Sequence, residues 1–150
     1  MATEQTFVMI KPDAVRRGLV GQIVARFEQK GLKIKAMRLE IPNPQTVEKH
    51  YEVHRERPFY GALVDYIKQG PVVPMIIEGE SAIAVCRNLM GATNPVEGKP
   101  GEIRFDFGQT IGRNIIHGSD GEDTAAFEIG LWFPEGGHDY ARTDDVWLFE

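Results

Sequence analysis

Four short β-rich runs alternate with segments of helical periodicity, and this alternation constrains the fold more than any other feature of the sequence. The runs are TFVMI (6–10), LKIKAMRLEI (32–41), VVPMIIEG (72–79) and NIIHG (114–118). The order strand, helix, strand, helices, strand, helix, loop, strand, helix predicts an α/β sandwich with a mostly antiparallel sheet.

The residues also predict the character of individual segments. The run 32–41 alternates apolar with basic residues, which is typical of a strand with one solvent-exposed face. Pro74, inside the third run, favours an edge strand or a bulge, because proline cannot donate to a neighbouring strand. The segment 92–113 is predicted to be irregular.

Helices are predicted from apolar spacing and from residues typical of helix ends. Leu19, Ile23 and Phe27 recur at helical spacing up to Gly31. Further helices are expected over 43–51, 59–70 and 81–91. The predicted N-terminal caps are Asp13, Asn43, Ser81 and Ser119, the last in a capping box with Glu122.

Length, composition and charge exclude several classes of protein. A single domain over residues 1–150 is predicted, and 42% hydrophobic with 26% charged residues is ordinary for a globular chain. No membrane-spanning run or signal peptide is recognisable, so we expect a cytoplasmic protein. The net charge of −5 argues against a nucleic-acid binder. Cys86, the only cysteine, is interpreted as a packing residue in a helix.

His117 ends the fourth run, two residues before a predicted helix cap. Backbone amides and the helix dipole at such a position favour an anion. A histidine satisfied inside the core is the alternative, and position alone does not distinguish the two. Gly118, Ser119 and Gly121 leave room for a ligand and favour the functional interpretation. A neutral imidazole nitrogen is a competent nucleophile, which makes covalent phosphoryl transfer feasible.

The sequence does not match several other ligand-binding motifs. The stretch GATNPVEGKPG (91–101) has the wrong glycine spacing for a phosphate-binding P-loop, and no GxGxxG dinucleotide motif occurs. His50 and His54 have the i, i+4 spacing of a helical metal pair but lack the HExxH pattern, so two solvated helix residues are favoured.

A set of cations and polar residues is spread along the chain. Each cation alone is interpreted as a surface charge, and spacing does not show that they meet. Together they could line one phosphate cleft; they are Lys11, Arg87, Arg104 and Arg113, with Thr93, Asn114 and His117.

The chain resembles nucleoside diphosphate kinases from end to end. The stretches that carry the resemblance are TFVMIKPDAVRRGLVGQI (6–23), HYEVHRERPFYGALVDYI (50–67), GPVV (70–73), MGATNPVEGKPGEIR (90–104), IGRNIIHGSDG (111–121) and EIGLWF (128–133). NIIHGSDG is highly specific to that family. The resemblance implies a ferredoxin-like βαββαβ core with a four-stranded antiparallel sheet and added helices.

The resemblance also implies the reaction and its catalytic residues. His117 would take the γ-phosphate of a nucleoside triphosphate and pass it to a diphosphate. Glu128 would accept a hydrogen bond from the second imidazole nitrogen, and Ser119 would position that carboxylate. Because a straight helix from Ser119 carries Glu128 about 13 Å along its axis, that helix would have to fold back.

Nucleotide-binding roles follow at the matching positions. Arg87, Thr93 and Arg104 would hold phosphates, Tyr51 would lie beside the transferred group, and Lys11 and Asn114 would contact the sugar. Phe59 and Ile111 would sandwich the base with few edge-reading groups, which implies low base specificity. Mg²⁺ would be bound mainly through the substrate phosphates, with Asp120 reaching it through water and no direct protein ligand.

Two further expectations concern departures and assembly. Phe105 replaces the glycine that usually follows the phosphate-binding Arg104, and 107–110 also varies, so the local backbone is in question. The long arm past Phe133 favours a homohexamer over the tetramer of shorter-tailed relatives. The alternative function is a catalytically inactive ferredoxin-like protein that binds nucleotides or RNA, although the RNP1 pattern is missing.

Overall fold

The computed structural model describes residues 3–150 and contains one four-stranded sheet. The strands are β1 (Thr3–Ile10), β2 (Lys33–Met37), β3 (Val73–Glu80) and β4 (Ile116–Gly118). Their order is β2-β3-β1-β4, and every neighbouring pair is antiparallel. The predicted antiparallel α/β sandwich with a ferredoxin-like core is therefore confirmed.

Eight α-helices are described within residues 3–150: α1 (Pro12–Arg16), α2 (Val20–Gln29), α3 (Pro44–His50), α4 (Tyr60–Lys68), α5 (Ala82–Met90), α6 (Ile103–Phe107), α7 (Glu122–Trp132) and α8 (Asp145–Leu148). Short 3₁₀ helices cover Glu52–His54 and Pro95–Glu97. The prediction that 92–113 is irregular is therefore wrong in part, because Pro95–Glu97 and Ile103–Phe107 are helical.

The core lies on both faces of the sheet because successive strand residues point to opposite sides. Val8 and Ile10 belong to the cluster that includes α2 and α5 residues. Phe7 and Met9 belong to the opposite cluster, which includes residues of α3, α4 and α7. β1 is therefore buried on both faces from Thr6 onward, and it places its C-terminal end beside β4.

Pro74 does not mark an edge strand, because β3 lies between β2 and β1. The Pro74 carbonyl accepts from Arg38 N, one residue beyond the end of β2. The carbonyl and the nitrogen of one strand residue point to the same side. The missing N–H therefore faces Arg38, just after β2 ends, and one bond is absent from the irregular pairing that continues to Glu40 and Val72.

The basic face of β2 is covered rather than exposed. Lys35 is only 4% exposed, and its Nζ lies 2.5 Å from Asp139 Oδ1 and 3.6 Å from Glu78 Oε2. His138 N also donates to the Lys35 carbonyl, and Tyr140 Oη donates to the Ile34 carbonyl. The C-terminal arm thus lies along the outer edge of β2, which the alternation of residues could not predict.

Three of the four predicted caps do not form the side-chain hydrogen bond expected of them. Asn43 does cap α3, since its Oδ1 accepts from Gln45 N at 2.8 Å. α1 follows Lys11, and Asp13 bonds elsewhere. Ser81 occupies the cap position of α5 with a φ of 53°, while the carboxylate of Glu4 accepts from Ile83 N instead.

The Ser119–Glu122 capping box is the third incorrect prediction. Gly121 precedes α7, and Glu122 is the first helical residue. The hydroxyl of Ser119 donates to Glu128 rather than serving the helix terminus. A long-range partner thus replaces the local one.

Two smaller expectations concern Cys86 and membranes. Cys86 is buried in the core, and burial raises the pKa of its thiol to about 12, as a packing residue requires. Over residues 3–150, no helix combines the length and apolar character needed to cross a membrane.

Candidate active site

His117 lies at the centre of β4, opposite Met9 of β1, with a partly exposed side chain. Its Nε2 is 2.9 Å from Glu128 Oε1. Ser119 Oγ donates to the same oxygen at 2.5 Å. The predicted histidine, carboxylate and serine therefore form one hydrogen-bonded group.

The chain reverses before α7 begins, and this brings Glu128 to His117. Gly121 is extended, and α7 starts at Glu122 and packs across β1. Glu128 points inward from the middle of the helix and is buried. The expectation that a helix from Ser119 must itself fold back is corrected, because the turn lies in the non-helical residues 119–121.

Burial and neighbouring charges keep the His117 ring neutral. Burial first, and then the charges of Lys11, Arg104 and Arg87, lower the pKa of His117 to about 3. Burial raises the pKa of Glu128. Since an ionised carboxylate only accepts, the Glu128 bond assigns the imidazole proton to Nε2. The lone pair of Nδ1 then remains available for nucleophilic attack.

Lys11 and Asn114 are joined beside the histidine. Lys11 Nζ donates to Asn114 Oδ1 at 2.7 Å, and Asn114 Nδ2 donates to the Thr93 carbonyl at 3.0 Å. Burial, then the charge of Arg104, lowers the pKa of Lys11 to about 8. The structure thus brings together three residues that are far apart in sequence.

Two arginines are fixed by backbone carbonyls around β4. Arg104 donates to Gly91 and Ile116, and Arg87 donates to Gly118 at 3.1 Å. Arg104 is buried, and desolvation lowers its pKa to about 10. Phe105 is a partly exposed ring, and Arg104 keeps both of its carbonyl partners beside it.

Asp13 and Ile115 are site-shaping residues that sequence reasoning missed. Ile115 has a φ of 80°, a region that β-branched residues rarely adopt. Its N–H donates to Asp13 Oδ2 at 3.1 Å, and its carbonyl accepts from Lys11 N at 2.9 Å. Tyr66 holds the other carboxylate oxygen of Asp13. These bonds fix the turn between Asn114 and β4, and no local pattern signals them.

His50 is buried, which corrects the prediction of a solvated residue. Its Nδ1 accepts from Trp132 Nε1 at 2.9 Å, and its ring centroid lies 4.5 Å from that of His117. His54 lies apart, on the 3₁₀ helix, with its ring against Phe59. The two histidines therefore do not form a metal pair.

The remaining predicted residues differ in how they lie relative to His117. The Tyr51 ring lies 6.5 Å from that of His117, and burial raises the pKa of its hydroxyl. Phe59 and Ile111 are exposed apolar side chains outside the hydrogen-bonded group around His117. Arg113 stacks on Tyr66, 4.0 Å from the ring centroid, rather than joining Arg87 and Arg104.

The donors around His117 suit a metal that is carried by a ligand. Asp120 is exposed, and one of its oxygens accepts from Thr124 Oγ1 at 2.8 Å. Such a carboxylate can reach a hydrated Mg²⁺ through water, as this cation keeps several of its waters. The nearby cations disfavour a divalent ion bound by protein ligands alone.

Comparisons with known proteins agree with this geometry. The family model of nucleoside diphosphate kinase matches residues 4–137. A nucleoside diphosphate kinase from Picosynechococcus is 55% identical over 148 residues, covering 98% of this chain and 99% of its own.

Solved structures of the same family share the fold. A nucleoside diphosphate kinase family protein from Babesia bovis superposes with a TM-score of 0.94 at 46% identity, covering 97% of this chain and 99% of its own. A halophilic nucleoside diphosphate kinase from Halobacterium salinarum, solved in complex with CDP, gives 0.96 at 43% identity, covering 99% of this chain and all of its own.

Proposed function

Because this chain belongs to the nucleoside diphosphate kinase family, a family of phosphotransferases, we propose that His117 carries the transferred phosphoryl group. The observation that carries the proposal is a neutral imidazole whose Nε2 is bound to Glu128, whose Nδ1 is left with the lone pair, and whose pKa is lowered by three nearby cations. The alternative of an inactive RNA-binding protein is not favoured.

The reaction proceeds in two half-reactions on one nitrogen. His117 Nδ1 attacks the γ-phosphorus of a nucleoside triphosphate, the new N–P bond forms, and the P–O bond to the β-phosphate breaks. The diphosphate leaves with the electron pair of that bond. A second diphosphate then attacks the phosphohistidine, and the same steps run in reverse to give a new triphosphate.

The surrounding residues act by position and charge. Glu128 offsets the positive charge that the ring gains when Nδ1 bonds to phosphorus. Arg87, Arg104 and Lys11 neutralise charge on the phosphate oxygens, because charge spreads over these oxygens during transfer. The phosphate-binding role also extends to Thr93, with Tyr51 beside the transferred group.

The nucleoside is held by fewer polar groups. Lys11 and Asn114 contact the sugar, and Phe59 and Ile111 contact the two faces of the base. The Halobacterium relative was solved with CDP, which supports a nucleotide in this cleft. Mg²⁺ enters with the substrate phosphates, Asp120 contacts it through water, and it supplies further charge neutralisation.

Assembly and location complete the proposal. A homohexamer is supported by the exposed apolar residues Val146 and Trp147 of the arm. A cytoplasmic location is supported by the substrates, which are intracellular nucleotides, and by a single buried cysteine.

The test is labelling with ATP that carries radioactive γ-phosphate. The wild-type chain should acquire label that survives alkali and is lost in acid, as a phosphoramidate is. His117→Ala should acquire none, and adding unlabelled diphosphate should discharge the wild-type protein. Undiminished labelling of His117→Ala would overturn the assignment.

A further inference from the structure

Trp132 decides which nitrogen of His50 carries a proton. The indole Nε1 can only donate, and it lies 2.9 Å from His50 Nδ1. Nδ1 must therefore accept, so the proton of a neutral His50 is on Nε2. This assignment follows from one contact between α7 and α3, 82 positions apart in the chain.

His50 is neutral because it is deeply buried. Its side chain is almost inaccessible to solvent, and burial is the main cause that lowers its pKa to about 3, followed by the repulsion that two protonated rings, His50 and His117, would exert on each other. Near neutral pH the side chain is thus an uncharged imidazole with an N–H at Nε2 and no freedom to exchange tautomers.

That N–H is on the side of His50 that approaches Glu128. His50 Nε2 lies 3.6 Å from Glu128 Oε2, whereas Oε1 is occupied by His117 and Ser119. Within residues 3–150, His50 Nε2 has no hydrogen-bond partner. A buried donor without a partner is costly, and catalytic hydrogen bonds often shorten only when the substrate reacts.

A metal ion could in principle use the same atoms. His50, His117 and Glu128 each offer a ligand atom, and these atoms lie within 4.8 Å of one another. Ligation requires a lone pair on His50 Nε2, so its proton would have to move to Nδ1. That proton would then face the N–H of Trp132, and the indole nitrogen can only donate a hydrogen bond. The donor set therefore does not fit a metal.

We propose that His50 is a positioning residue for phosphoryl transfer, donating from Nε2 to Glu128 Oε2 and thereby keeping Glu128 ionised and aimed at His117. The proposal rests on the proposed function of His117. As the His117 ring becomes positive, Glu128 must remain an anion. Because burial raises the pKa of Glu128, a donor on its free oxygen opposes that shift.

Other charged and titratable groups lie near His50 and Glu128 and also affect the pKa values of these two residues. Around His50 and Glu128 they are His117, Lys11, Arg87, Asp120, His54 and Tyr51. None of them contacts Glu128 Oε2 by a hydrogen bond within residues 3–150. Removing His50 should therefore leave Oε2 without a replacement donor.

Substitutions separate this role from packing. His50→Gln retains an amide nitrogen near the position of Nε2, whereas His50→Asn places its polar group near Nδ1 and cannot reach Glu128. Trp132→Phe keeps an aromatic ring but removes the N–H that fixes the tautomer of His50. The rate of His117 labelling by ATP is followed by rapid quench from about pH 5 to 9, with urea unfolding of each variant as a check on folding.

The expected result is a change in rate and in pH profile. His50→Asn should slow labelling about tenfold, the effect of one hydrogen bond, and move its acid limb upward by about one pH unit. The ATP concentration for half-maximal rate should stay within about twofold. His50→Gln should restore most of the rate, and Trp132→Phe should fall between the two. In a Glu128→Gln background, His50→Asn should have little further effect.

Two results would overturn the proposal: an acid limb that does not move in His50→Asn, or the same loss of rate with and without Glu128. Both results are measured in protein whose His117 still acquires label from ATP. Failure of the proposed function has a different signature, since wild-type labelling would then persist in His117→Ala.

Discussion

His117 and Glu128 are separated by 11 positions in the sequence, yet Nε2 and Oε1 lie 2.9 Å apart. The contact joins the centre of a strand to the inner face of a helix. It fixes the ring orientation and the tautomer together, which leaves a single nitrogen for attack. The reactivity proposed for His117 thus depends on this one bond.

Replacing the carboxylate should slow transfer without weakening nucleotide binding. A hydrogen bond to a charged group contributes about 1.5–3 kcal/mol, so Glu128→Gln should lower kcat about 10- to 150-fold, with KM nearly constant. Ser119→Ala is the matched control, because it removes the second bond to Oε1 and leaves the charge. Ser119→Ala should lower kcat by less than Glu128→Gln does. A Glu128→Gln enzyme as fast as wild type would contradict the role of the carboxylate.

The activity should fall on the alkaline side as Lys11 loses its charge. Burial lowers the pKa of Lys11 to about 8, so the ammonium form is present below that pH and disappears as pH rises through it. Since kcat/KM reports the free enzyme, we expect it to decline up to about tenfold per pH unit above 8.

Lys11→Arg tests the origin of that limb. A guanidinium keeps its charge to higher pH, so the decline of kcat/KM near pH 8 should vanish even if the absolute rate is lower. Lys99→Arg, at an exposed lysine, should leave the profile as in the wild type. An unchanged alkaline limb in Lys11→Arg would assign it to another group.

Local patterns predicted the strands and most helices. The alternation of apolar and polar residues, the helical spacing of apolar residues and the glycines that end elements all depend on residues close together in the sequence. Caps were less predictable, since Glu4 replaces Ser81 at α5 from a distant strand. His50 shows the same limit: it is predicted from its local sequence to be a solvated helix residue, but contact with Trp132 of α7 buries it. Resemblance supplied the site residues near His117; it said nothing of the tie between Asp13 and Ile115.

The C-terminal arm should matter for assembly more than for chemistry. Trp147 is 87% exposed, whereas Leu148 packs on Gly31. Deleting residues 147–150 should lower the molar mass measured by light scattering and the urea midpoint, while the rate of His117 labelling per site changes little. Val53→Ala, at another exposed apolar residue, should change none of these. An unchanged hexamer with an unchanged midpoint would refute the role of the arm.

Base specificity should be low because the two residues proposed to hold the base are apolar. Phe59 offers a ring face and Ile111 an aliphatic surface, and neither distinguishes a purine edge from a pyrimidine edge. Apolar contacts discriminate by only about 10- to 200-fold, whereas sites that read hydrogen-bonding groups reach about 10⁴ or more. Stacking contributes roughly 1–3 kcal/mol with any base, so the larger purines gain modestly.

We therefore expect ADP, GDP, CDP, UDP and TDP all to be accepted, with kcat/KM values inside about two orders of magnitude and purines ahead. Phe59→Ala should lower all five values together, by the roughly 5- to 150-fold that one stacking contact allows. Phe127→Ala is the matched control, because that ring is equally exposed, at 50% against 49%, but belongs to α7 and is not one of the two residues proposed to hold the base. Steady-state kinetics with each of the five diphosphates measures these kcat/KM values. A preference of about 10⁴ for one base, or a Phe59→Ala effect on one nucleotide alone, would require an edge-reading group that neither Phe59 nor Ile111 can supply.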